Sequence, residues 1–166
     1  VGLAPGMHGA NRTGRPFTGD YAGVLLYETL YRFGFASSPV SEHAQDGLEL
    51  VDCRITNAVK CLPPQNKPDP SEIIQCNNYL HNELNKLDKQ TAVLALGQIA
   101  HKAVISALGL KQKDWVFGHG VMHALPNGLA LFDSYHCSRY NTQTYRLTPA
   151  MFHAVFEAIR THLERN

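Results

Sequence analysis

The chain has 166 residues, with hydrophobic content of 44% and charged content of 17%, the balance of an ordinary globular protein able to bury a full core. The formal net charge is +1, with nine histidines. That excludes a globally basic nucleic-acid binder, so any such contact has to come from a local patch. No apolar run approaches the ~20 residues of a membrane span, and nothing reads as a signal peptide, so no membrane partner and a cytoplasmic location are expected.

In chain order, Val1–Ala4 reads as a short strand that breaks at Pro5 and Gly6 into a long polar loop. The chain starts inside this strand, and a segment before it is expected to be missing. A helix follows over Tyr21–Phe33, with Asp20 at its N-cap position and Gly34 just past its end. Cys53–Val59 alternates weakly and is rich in β-branched residues, the pattern of a second strand. Leu62–Pro70 carries four prolines and reads as irregular. Ser71–Leu87 is a helix with a stripe of Leu80, Leu84 and Leu87. Ala92–Leu96 is an uninterrupted apolar run, as in a strand buried on both faces, and Ile99–Leu108 is the helix after it. Pro126-Asn127-Gly128 turns a hairpin between Val121–Leu125 and Leu129–Ser134, and Thr148 caps a closing helix over Ala150–Leu163. Strands alternating with helices predict an α/β domain, a mainly parallel sheet with helices on both sides. One domain covers the whole chain.

Two loops fall at the same carboxyl edge of this sheet, where α/β proteins collect their chemistry. The first runs Gly2-Leu3-Ala4-Pro5-Gly6 through His8-Gly9-Ala10-Asn11-Arg12-Thr13-Gly14-Arg15-Pro16-Phe17-Thr18-Gly19-Asp20. The second is Ser134-Tyr135-His136-Cys137-Ser138-Arg139-Tyr140-Asn141. With Ile55-Thr56-Asn57-Ala58-Val59-Lys60-Cys61 and the Pro-rich loop between them, they resemble the uracil-DNA glycosylase superfamily, closest to its iron–sulfur type 5 branch and next to type 4.

That resemblance implies a three-layer α/β/α sandwich around a mainly parallel four-stranded sheet. It implies a monofunctional glycosylase of base excision repair, hydrolysing the N-glycosidic bond of uracil in double- or single-stranded DNA. Hypoxanthine and xanthine are further expected substrates, and a monomer acting at the nucleoid is the expected form. The rival is a catalytically inactive damage-binding module of the same fold.

Several of the residues that the resemblance singles out have a plain alternative. Phe17 stacks on the extruded base, or is a core aromatic. His136 stabilises charge on the departing base. Asp20 either caps its helix or serves catalysis as a carboxylate. Gly2 and Leu3 line the base slot; most branches place Asp, Asn or Glu where Leu3 stands, so the usual water-activating group is missing. Asn57 and Asn66 read the pyrimidine edge or tie down loop backbone, and Ser138 and Asn141 belong to the second motif. Arg12, Arg15, Arg139 and Tyr140 are the expected DNA contacts, with Lys60, Lys67 and Arg146 adding to a basic rim. Cys61 and Cys76 match two ligands of a [4Fe–4S] cluster, two further cysteines being expected upstream of Val1. Met7 and Tyr145 depart from the family pattern and are expected to narrow the pocket or alter its substrate range.

Overall fold

The computed structural model describes residues 1–165, Asn66 by its backbone alone. Its helices are α1 (Ala10–Thr13), α2 (Tyr21–Arg32), α3 (Pro70–Leu84), α4 (Gln98–Ala107), α5 (Arg139–Gln143) and α6 (Pro149–Glu164). Its strands are β1 (Ala92–Leu96), β2 (Met122–Ala124) and β3 (Ala130–Ser134), in the sheet order β1-β3-β2.

β1 runs parallel to β3, from Ala92 opposite Ala130 to Leu96 opposite Ser134. β2 folds back antiparallel through the Asn127-Gly128 turn, in which Gly128 takes a φ of 92° and the Asn127 side chain accepts from the Leu129 amide. Side chains leave the two parallel strands alternately to two sides. Leu96, Ala130 and Phe132 join α2 and α6 in one core, with Tyr27, Leu30, Phe152 and Phe156. Val93, Ala95 and Leu131 join α3 and α4 in the other, with Leu80, Leu84, Val104 and Ile105. Helices therefore cover both faces, and β1 is apolar throughout because neither of its faces meets water.

The helix ends follow local chemistry. The Glu72 carboxylate accepts the Asp69 amide at 2.7 Å where Pro70 opens α3. The Thr148 hydroxyl accepts the Met151 amide at 3.2 Å to start α6. Gly34, at a φ of 74°, follows α2. Among the described residues no helix is long and apolar enough to cross a membrane.

The sheet differs from the four strands expected. Neither Val1–Ala4 nor Cys53–Val59 is a strand; they meet in a single parallel bridge between Gly2 and Asn57. Val1 still bonds β1, its carbonyl accepting the Leu96 amide at 2.9 Å, and Gly2 exchanges bonds with Thr56 and Ala58 on its other side. The segment thus continues the sheet in spirit but not in length, because Pro5 has no N–H to extend a ladder. The short helix α1, within the first loop, was not foreseen.

Candidate active site

Beyond the carboxyl ends of β1 and β3, the first loop, the 57–60 segment and the β3–α5 loop enclose a cavity of about 300 Å³. Leu3, Phe17, Asp20, Asn57 and His136 line it. Phe17 lies at a φ of 59°, a left-handed conformation that an aromatic residue adopts only when its surroundings impose it. Two contacts do so. The Tyr27 hydroxyl donates to the Pro16 carbonyl at 2.7 Å, and Gly23 passes so close that a Cβ there would lie 1.7 Å from the Phe17 carbonyl oxygen. The ring is thereby held 6.1 Å from the His136 imidazole, the two planes tilted by 36°. Phe17 belongs to the α2–α6 core and to the cavity wall at once.

Asn57 presents the most unusual atom. Its Oδ1 is, among the described residues, a buried side-chain acceptor with no hydrogen-bond partner. Such a group costs about 1–3 kcal/mol unless something else satisfies it. Gly2 makes room for it: a Cβ at Gly2 would sit 2.4 Å from that oxygen and 2.7 Å from the Phe17 ring. The missing side chain of Gly2 thus lets the edge of the Phe17 ring and the unpaired Asn57 oxygen come close together in the cavity wall.

Asp20 stands at the N-cap position of α2, yet its carboxylate makes no capping bond. It turns instead towards Gly6 and Gly9, where an added Cβ would lie 2.6 and 1.9 Å from Oδ2. Burial raises its pKa above the ordinary 3.8, and the charges of His8 and Arg12 oppose the rise. The helix-cap reading of this residue therefore gives way: glycine at both positions leaves the carboxylate space to enter the cavity. Burial acts oppositely on His136 and lowers its pKa below 6.5, so the imidazole is neutral at pH 7. The Asn141 amide donates to the His136 carbonyl at 2.8 Å, and the Ser138 hydroxyl accepts the Asn141 amide N–H to start α5. Both residues shape the loop that carries His136.

The family model of the uracil DNA glycosylase superfamily matches residues 1–160. The chain belongs to the uracil-DNA glycosylase superfamily. Within that superfamily it is similar to the type-5 uracil-DNA glycosylase of Thermus thermophilus, 48% identical over 151 residues, or 91% of this chain and 68% of that protein. The type-5 uracil-DNA glycosylase of Mycobacterium bovis is 44% identical over 158 residues, 94% of this chain but 59% of its own length. A type-4 uracil-DNA glycosylase of Pyrobaculum aerophilum is 38% identical over 110 residues, 66% of this chain and 48% of that protein.

Not every residue that the superfamily pattern suggested reaches the cavity. The Arg15 guanidinium is tied to Asp46 at 2.8 Å, to the Ser41 hydroxyl and to the Ala44 carbonyl. It pins the 41–46 loop and is withdrawn from any DNA-facing rim. Lys60 is likewise engaged, 2.9 Å from the Glu83 carboxylate, which also accepts the Thr56 hydroxyl. Arg12, Arg139 and Tyr140 stay exposed, with the Arg139 guanidinium 4.9 Å above the Tyr21 ring. The Asn66 side chain lies outside the described residues. Met7 lines the cavity mouth, whereas Tyr145 is 82% exposed and lines no wall of it. Its φ of 57° is a left-handed conformation that glycine adopts more readily than tyrosine.

Cys76 is buried and its Sγ accepts the amide of Lys60, the residue before Cys61, at 3.4 Å. This contact sets Cys76 against the segment that carries Cys61, and an N–H donated to sulfur suits a cluster thiolate. Cys137 is fully buried in the core, its thiol pushed up to about 12, which does not suit a ligand that must ionise. The residues present fit two corners of an iron–sulfur cluster.

Sequence reasoning passed over His119. Its Nδ1 accepts the Tyr135 amide at 3.1 Å, and its ring stacks on Tyr135 at 4.8 Å, with Arg146 4.8 Å from the same ring. These groups line a second cavity of about 410 Å³ on the far side of His136. The Gly120 between His119 and the strand was the available signal, a turn residue beside a sheet edge.

Proposed function

We propose that residues 1–166 act as one catalytic domain, a monofunctional uracil-DNA glycosylase of the type 5 kind, working as a monomer in the cytoplasm. The observation that carries the reading is the buried, unpaired Asn57 Oδ1 of a cavity wall that Asn57 shares with Phe17. An extruded uracil offers what that wall lacks: a flat ring for Phe17 and an N3–H donor for Asn57. Stacking contributes about 1–3 kcal/mol. Filling a buried acceptor recovers its desolvation penalty.

Hydrolysis breaks the bond between C1′ of the sugar and N1 of the base, and the bonding electrons leave with uracil. Neutral His136 supplies an N–H to the charge that develops on O2, where a fixed donor outperforms water. The Asp20 carboxylate faces the electron-poor sugar and holds the attacking water, accepting its proton as the new C1′–O bond forms. This supplies the group that Leu3 does not. Lys60, held by Glu83, is not free to attack the sugar, so water is the nucleophile and no covalent adduct forms.

Arg12, Arg139 and Tyr140, with Lys67 and Arg146, form the rim for the phosphate backbone of double- or single-stranded DNA. Leu3 and Met7 bound the slot and leave hypoxanthine and xanthine as further deaminated substrates. Cys61 and Cys76 would hold two corners of a [4Fe–4S] cluster, with two more thiolates from residues beyond those present. Bound there, the cluster would stiffen the loop from Leu62 to Pro70.

The test is a duplex or single strand carrying one uracil. Incubation yields an alkali-labile abasic site and free uracil, with no adduct trapped by borohydride. An inert uracil strand would end the proposal.

A further inference from the structure

Away from the cavity, three side chains from three elements converge on one buried point: His101 of α4, His123 of β2 and Asp133 of β3. Their ligand atoms all lie within 4.8 Å of one another. His101 Nδ1 is 2.8 Å from Asp133 Oδ1, and His123 Nε2 is 3.1 Å from Asp133 Oδ2. Asp133 is fully buried, His101 is 1% exposed and His123 is 11% exposed. Nothing in the glycosylase reading uses them.

The hydrogen positions of this cluster pose a problem. His101 Nε2 lies 2.9 Å from the Trp115 carbonyl, which can only accept. The proton of a neutral imidazole is therefore on Nε2, which leaves the bare Nδ1 lone pair facing a carboxylate oxygen. That gap takes either a proton, as in an imidazolium–carboxylate pair, or a metal cation. A buried carboxylate also needs a cation for its own solvation, since isolated ions are costly in a dry interior.

We propose that His101 Nδ1, His123 Nε2 and the Asp133 carboxylate bind one divalent cation of the zinc class. Two imidazoles and one carboxylate are a common zinc donor set. Bonds of about 2.0–2.1 Å set tetrahedral ligand atoms roughly 3.3 Å apart, within the spread of the separations here. The surroundings match as well. A ligating histidine ordinarily donates its other N–H to a carbonyl or carboxylate, as His101 does to Trp115, and ligating carboxylates are themselves hydrogen-bonded, as Asp133 is by the Gly118 amide at 3.2 Å. Phe117 and Trp115 close the site edge-on, and the His123 side gives entry and a place for a water ligand. Neither of the two cavities described above is lined by Asp133, so the ion is structural. It ties α4 and β2 to β3 one residue before Ser134, the start of the loop that carries His136, and braces the 115–120 segment that carries His119.

Cobalt(II) is the probe, because its visible bands report geometry and thiolate ligation adds a separate charge-transfer band. The wild-type protein, stripped with chelator, takes up one equivalent of Co²⁺ with tetrahedral bands and no thiolate band from this site. Zn²⁺ displaces it and raises the melting temperature. His123→Gln, the least buried ligand, weakens Co²⁺ binding by more than about tenfold. X-ray absorption on zinc-loaded wild type needs no variant and must show imidazole scattering. Absence of saturable binding, a stoichiometric site with sulfur at about 2.3 Å, or an unchanged folded His123→Gln variant would each overturn the proposal.

Discussion

Gly2→Ala is the most exacting perturbation of the base slot. The backbone of Gly2 tolerates a side chain, since its φ lies outside the left-handed region. The difficulty is space. The new Cβ would stand 2.4 Å from Asn57 Oδ1 and 2.7 Å from the Phe17 ring, where ordinary contact begins at 3.4 Å. The amide oxygen therefore has to retreat by about 1 Å, and the ring by slightly less. Overpacking of this kind costs about 1–3 kcal/mol of stability, which a melting curve reads directly. The effect on catalysis is larger: a misplacement of 1 Å in a positioning group costs about 10²-fold. Single-turnover excision of uracil should fall by that factor, while affinity for an undamaged duplex, set by Arg12 and Arg139, stays the same. A folded Gly2→Ala variant excising uracil at the wild-type rate would mean that Asn57 and Phe17 do not hold the base.

His136→Ala should slow the chemical step by about 10²–10³ with little change in DNA affinity, measured by single-turnover kinetics beside a binding titration. The pH profile follows from two opposite shifts. Asp20 must be ionised and its pKa lies above 3.8, while His136 must be neutral and its pKa lies below 6.5. Excision should therefore be level around pH 7 and decline only in acid, between those two ordinary values. A rate that climbs as the pH drops would identify the imidazolium as the active form and contradict the neutral donor.

Much of this architecture is legible in the residues. The unbroken apolar run Ala92–Leu96, the Asn127-Gly128 turn and the Thr148 cap each encode local structure that tertiary contacts merely accept. The first crevice loop also announces itself through its glycines and prolines, and the second through His136 in the run Ser134–Asn141. What escapes is set by contacts distant in sequence. Asp20 has the spacing of a helix cap, and only the missing Cβ atoms of Gly6 and Gly9 turn it into the cavity. Arg15 reads as a solvent-facing cation until Asp46, 31 residues on, claims it. Val1–Ala4 has the composition of a strand but not the length, because Pro5 ends its hydrogen bonding. The His101, His123 and Asp133 group has no motif spacing at all, since a helix and two strands assemble it.

The pairing of Asn57 Oδ1 with the N3–H of the base can be tested on the substrate, leaving the protein untouched. A single-stranded oligonucleotide carrying one N3-methyluracil keeps the ring, the sugar and the scissile bond, and replaces that one donor with a methyl group. A site built to hydrogen-bond a group rejects the analogue lacking it by about 10⁴–10⁵. Single-turnover rates on the two strands, compared side by side, should differ by at least about 10³, with N3-methyluracil essentially uncut. Equal excision of the two bases would show that Asn57 does not read the base through N3.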